Sequence, residues 1–117
     1  MTATVDGDFW AAFEQLTANA KLVIDRPKGS RHPSFPEIVY PLDYGYFEGT
    51  VSMDGGGIDA WRGSLNDIRI VGVICTVDLL KKDSEIKVLV GCTQDEIAIL
   101  REFHNEGPYM KGALILR

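Results

Sequence analysis

Two aspartates, Asp54 and Asp59, flank three consecutive glycines in the segment MDGGGID, residues 53–59. Carboxylate oxygens are the donors that a hard divalent cation such as Mg²⁺ takes. Glycine allows the positive φ that a tight loop around an ion needs. The same pattern also suits Asx turns, in which each aspartate side chain bonds a backbone N–H two residues on. Metal binding and turn formation stand as alternatives at this loop.

Other residues with chemical capacity carry paired readings too. Tyr40, Tyr44 and Tyr46 are phenols that bind phosphate or pack on a sheet, and alternation from Tyr44 makes Tyr46 a sheet aromatic. Lys87, within an apolar strand-like run, is a phosphate contact or a solvent-facing side chain. His104 falls where a helix C-terminus favours a cation. His32 sits in a proline-rich loop and carries no reading of its own. Trp61 follows the acidic loop and is either core or the wall of a pocket for an organic group.

These residues need elements to hold them. Residues 6–19 read as a short amphipathic helix, capped by Asp6 or Asp8, with Trp10, Phe13 and Leu16 near one face. That face docks on the core or meets a second subunit, and Phe9 and Trp10 are the candidate contact. KLVIDR reads as a strand, stopped by the prolines at 27, 33, 36 and 41. Strands are expected over YGYFEGTV, IDAWRGS, DIRIVGVICTVDLL, IKVLVGCT and YMKGALILR, with KKDSE as a charged turn. Thr93 and Glu96 form a capping-box pattern, and a second helix runs from there to Gly107-Pro108. The fold class is α+β, mainly β: a small closed or curled antiparallel barrel, OB-like, with an N-terminal and a C-terminal helix.

At 117 residues, 45% of them hydrophobic, the chain suits one domain with a modest core. A net charge of −5 argues against a broad nucleic-acid or anionic-membrane surface. No apolar run reaches the ~20 residues of a membrane span. The N-terminal MTATVDGDFW has acids where a signal peptide has a basic region, so a cytoplasmic protein is expected. Cys75 and Cys92 sit in apolar strands and read as reduced core residues.

Taken in order, VYPLDYGYFEGTV followed by DGGGID resembles the soluble inorganic pyrophosphatases, from about Leu22 onward. In that family Tyr-Pro-x-x-Tyr-Gly leads into an acidic loop, Asp-Gly-Asp-Pro-x-Asp. VGVICTVD and SEIKVLVG are similar to its next two strands, and AILREFHNEG stands where it has a helix ending in Phe-x-x-Tyr-Lys. The resemblance implies a metal-dependent hydrolase of phosphoanhydrides. It implies Asp54, Asp59, Asp78 and Glu85 as Mg²⁺ ligands, with Asp83 a rival to Glu85. It implies Tyr44 and Lys87 as phosphate ligands and, with Asp59, as the catalytic group. Asp25 stands near an acidic family position. A homo-oligomer is expected, since family members commonly assemble.

The departures bear on activity. Gly56 replaces the middle aspartate, the family's base for making hydroxide. HPSFPEI replaces a hairpin that carries a phosphate-gripping arginine, leaving Lys28 and Arg31 as the nearest substitutes. Phe103-His104 stands where Tyr-Lys is usual, and His104 takes the lysine's place as a substrate contact. The chain also stops before the family's usual last helix. Loss of a general base costs about 10²–10⁴ in rate, and loss of one electrostatic donor about 10²–10³. Three functions follow: a weakened or altered Mg²⁺-dependent hydrolase, a non-catalytic module for a phosphate-bearing small ligand, or an interaction protein whose site residues are turn formers.

Overall fold

The structure, a computed structural model, describes residues 5–117. The first four residues of the N-terminal segment read above for a signal peptide lie outside them. The elements are α1 (Gly7–Thr17), β1 (Lys21–Arg26), β2 (Asp43–Glu48), β3 (Ile58–Arg62), β4 (Ile70–Asp78), β5 (Asp83–Val90), α2 (Gln94–Phe103) and β6 (Met110–Leu116). No described helix is long and apolar enough to cross a membrane.

The six strands form one sheet in the order β1-β2-β3-β5-β4-β6. It is α+β as expected, with a helix near each end of the chain; of the closed or curled forms expected the sheet is not the closed one, and it is mixed rather than wholly antiparallel. β3 and β5 run parallel, with Ala60 opposite Val88 and Arg62 opposite Val90. The reason is the tight β4–β5 hairpin, which inserts β5 between β3 and β4. Its turn is shorter than expected. Asp83, Ser84 and Glu85 belong to β5, and Lys82 takes a positive φ of 58° at the corner.

Both faces of the sheet are buried, so its central strands are apolar without strict alternation. Ala60, Val73, Val88 and Val90 pack on one face with Trp10 of α1 and Phe47. Trp61, Ile74 and Leu89 pack on the other with Leu100 of α2 and with Tyr40 and Leu42 from the long loop before β2. α1 therefore docks through Trp10, whereas Leu16 is 53% exposed and Phe9 39% exposed. Asp6 caps α1 by accepting from the N–H groups of Asp8 and Phe9.

The capping box at Thr93 and Glu96 is present, and Glu96 also accepts from the backbone N–H of Ser64, tying α2 to the end of β3. Gly45 is required at the β1–β2 contact, because a Cβ there would lie 1.7 Å from the Val23 carbonyl oxygen. Cys75 and Cys92 are free thiols that pack with different faces of the sheet, consistent with core roles.

Candidate functional site

Register brings the polar residues together. Tyr46 opposes Asp59 and Tyr44 opposes Trp61 across β2 and β3. Strand alternation then puts Tyr44, Tyr46, Asp59 and Trp61 on the α2 side of the sheet. On β5, Asp83, Glu85 and Lys87 alternate with residues of the other face and reach the same side.

Lys87 is the centre of the cluster and only 6% exposed. Its ammonium donates to Glu85 Oε2 at 2.7 Å, to the Tyr44 hydroxyl at 2.8 Å and to Asp59 Oδ2 at 3.4 Å. Burial and the Asp59 charge push the Tyr44 phenol far above its ordinary range, so it stays protonated. Burial likewise raises Asp59, prevailing over the nearby Lys87 charge. Burial also opposes ionisation of Glu85, but there the shorter Lys87 contact, with help from Lys81, prevails and lowers the pKa. One ammonium thus holds two carboxylates unequally.

Asp54 and Asp59 line one cleft of about 370 Å³ with Tyr46, Gly56 and Gly57. Asp54 serves the turn as well. Its Oδ1 accepts from Ser52 Oγ at 2.6 Å and from the Gly56 N–H at 2.9 Å, and these bonds lower its pKa. Gly55 takes φ +86° at the tip, where a side chain would be strained. The turn reading of MDGGGID is realised at Asp54, and the loop opens on a cleft that Asp59 shares.

The remaining candidates are placed elsewhere. Asp78 Oδ1 accepts from the N–H groups of Leu80 and Lys81, so it caps the β4–β5 turn. Asp83 pairs with Lys81 at 3.4 Å, and it is Glu85 that reaches Lys87. The Lys28 backbone N–H donates to Asp43, and its side chain is exposed. Arg31 donates to the Pro36 carbonyl. His104 is buried, accepting from the Trp61 indole at 2.9 Å, and burial together with the Lys87 charge lowers its pKa to about 3. It is a neutral partner of Trp61.

Among the described residues, no three His, Cys, Asp or Glu side chains are gathered to hold a metal ion. Asp54, Asp59 and Glu85 have the right oxygen chemistry for Mg²⁺. Yet Lys87 already neutralises two of them and Asp54 is committed to its turn. As arranged, these residues do not fit a resident Mg²⁺.

Sequence reasoning missed Arg26. It opposes Tyr44 across β1 and β2, donates to the Tyr40 hydroxyl and lies 5.5 Å over the Tyr40 ring. Period-two alternation points it to the other face, and only the bulge beside it reverses that.

No family model and no curated protein matches this chain. Solved structures do. The inorganic pyrophosphatase of Helicobacter pylori superposes with a TM-score of 0.56 at 16% identity, covering 86% of this chain and 85% of that one. An inorganic phosphatase from Anaplasma phagocytophilum gives a TM-score of 0.55 at 16% identity, covering 81% of each chain. The fold is pyrophosphatase-like. At this identity the likeness reaches the arrangement of strands and helices and goes no further.

Proposed function

We propose that this pyrophosphatase-type domain binds the Mg²⁺ complex of a phosphoanhydride, or of a related phosphate ester, and hydrolyses it slowly. The observation that carries the proposal is the charge of the cleft. Asp54 and Asp59 line it and Glu85 stands beside Asp59 on the same ammonium, three carboxylates answered by Lys87 and the more exposed Lys81. A bare phosphate is repelled by such a surface, whereas a phosphate that brings its own cation is not. Mg²⁺ enters this reading as part of the substrate, which removes the need for a preformed metal site.

The chain's own groups then have definite tasks. Lys87 turns from Glu85, which keeps Lys81 at 3.8 Å, to a phosphate oxygen. Tyr44, held protonated, donates its hydroxyl to the ligand. Asp59, whose pKa is raised, is the carboxylate best suited to take a proton from water. Gly56 contributes no carboxylate and Asp54 is engaged in its turn, so no further base assists Asp59 and turnover is slow.

Phosphate release from pyrophosphate with excess Mg²⁺ tests the reading, with Asp59→Asn run beside the wild type. Slow release by the wild type and none by the variant is expected. Release by neither removes hydrolysis. A second reading then stands, favoured by the closed turn at Asp54: a module that binds a phosphate-bearing ligand without turnover, marked by saturable binding. We place either activity in a reducing compartment such as the cytoplasm, in keeping with two free thiols. Assembly through the exposed Phe9 edge of α1 is checked by light scattering, where a monomer mass excludes it.

A further inference from the structure

The cleft needs a cation that is not already spent. Lys87 faces two carboxylates, so it reaches a phosphate only after exchanging partners. Arg26 is under no such constraint. None of the ion pairs among the described residues includes it.

Its position depends on a backbone irregularity. Ile24 opposes Gly45, but Arg26 opposes Tyr44, because the register shifts between them. In a regular strand Arg26 shares the face of Ile24, turned away from Tyr44. The extra residue, Asp25, carries it to the Tyr44 face. Bulges re-aim side chains in this way and are common beside active sites.

The aromatic residues there fix the guanidinium without neutralising it. Arg26 lies over the Tyr40 ring and bonds its hydroxyl through Nη1. Tyr40 packs against Tyr44, centroids 5.5 Å apart, and the Lys87 ammonium is 5.2 Å from the Tyr44 ring on β5's side. Arg26 and Lys87 therefore flank one tyrosine pair. A guanidinium offers five N–H donors in a planar fork, and only Nη1 is engaged here. The two cations expected from sequence are less suited: Arg31 is tied to the Pro36 carbonyl, and Lys28 stands exposed on the loop.

We infer that Arg26 is the side chain that grips the phosphate group from the Tyr40–Tyr44 side of the Lys87 cluster, taking two of its oxygens through the free edge of the fork beside Tyr44. The inference rests on the proposed binding of a phosphoanhydride and names the residue that recognises it. Such bidentate pairs add geometric specificity as well as affinity. The bulge at Asp25 is then the device that supplies an arginine to a site whose other cation is internally paired.

Calorimetric titration with methylenediphosphonate in excess Mg²⁺ reads this without turnover. Arg26→Met keeps the stem over Tyr40 and removes the fork. It is expected to weaken binding roughly tenfold to a hundredfold, the usual worth of a charge-assisted bond. Arg26→Lys is expected to recover part of the loss. Wild-type affinity in Arg26→Met overturns the inference while leaving the functional reading intact. Absence of saturable binding by the wild type overturns both. Should Arg26→Met melt before the titration, Arg26→Lys decides: several-fold weaker binding supports the inference, and unchanged affinity sinks it.

Discussion

The Trp61 indole N–H donates to Nε2 of His104 at 2.9 Å. Indole nitrogen can only donate, so Nε2 is bare and the ring proton sits on Nδ1, facing Met110 Sδ at 3.3 Å. Trp61 also packs on Tyr44, with centroids 4.6 Å apart. His104 thus supports the site from beneath and stays neutral.

A pH dependence follows from that tautomer. His104 titrates near 6.5 when unfolded and at about 3 when folded. Above pH 6.5 neither state holds the extra proton, and stability is full. Between about 6.5 and 3 the unfolded chain takes a proton that the folded one refuses. Stability is therefore lost as pH falls, with a slope approaching ~1.4 kcal/mol per pH unit. Urea melts at pH 7 and pH 5 should show this loss. His104→Gln, which keeps an acceptor for Trp61, should flatten it. His32 remains in both proteins, so its own titration cancels in the comparison. Parallel curves for wild type and variant would remove His104 as the cause.

Lys87 carries a stability prediction. Lys87→Met leaves Glu85 and Asp59 largely buried without their cation. Breaking one partner of a buried pair costs about 3–5 kcal/mol, and partial exposure of Asp59 lowers this to ~2–4 kcal/mol. Adding Glu85→Gln to Lys87→Met should restore about half, because one of the two orphaned charges is then gone. Denaturant midpoints measure both steps. A single-variant loss below about 1 kcal/mol would mean that the cluster does not hold Lys87 in solution.

Asp59 should behave in the opposite way. Its pKa is raised, so the folded state binds its proton more tightly than the unfolded chain does. The stability linked to that proton is present below the unfolded value and lost as pH rises through the folded one. At pH 7 in divalent-free buffer, Asp59→Asn should therefore melt at or above the wild-type temperature while losing phosphate release. Sites kept for function often oppose stability in this manner. A clear drop in melting temperature would show that the Lys87 contact outweighs burial.

Much of the fold was legible because its signals are local. The capping box at Thr93 and Glu96, the proline stop after Arg26 and the apolar runs of β4 and β5 each name an element by themselves. The parallel β3–β5 pairing was not legible, since it follows from where a hairpin inserts and not from any residue in it. Leu16 fell on the wrong side because helical spacing finds a stripe but not its width. In the site, Tyr44, Asp59, Glu85 and Lys87 were found through motif order, and the register brings them together. Asp78 and His104 were named from the same order, yet a turn and a buried indole occupy them. Arg26 escaped notice because one bulged residue reverses its face, and period-two reasoning has no means of seeing a bulge.

The loop itself offers a gain-of-function experiment. Gly56 stands where the resembling family has its middle aspartate. Its φ is not in the left-handed region, unlike that of Gly55, so a side chain is allowed there. An added Cβ would lie 3.3 Å from Asp54 Oδ1, a contact that a shift of a few tenths of an ångström relieves. Gly56→Asp should therefore fold. It adds a carboxylate to the cleft that Asp59 lines, within the loop, where a base could reach water beside a bound phosphate. Since a general base contributes about 10²–10⁴ in rate, even a poorly aligned one should raise Mg²⁺-dependent phosphate release by tenfold or more. The added negative charge should also steepen the dependence on Mg²⁺ concentration. A folded Gly56→Asp that releases phosphate no faster than wild type would mean that the missing base is not what limits this cleft, and would favour a binding role over hydrolysis.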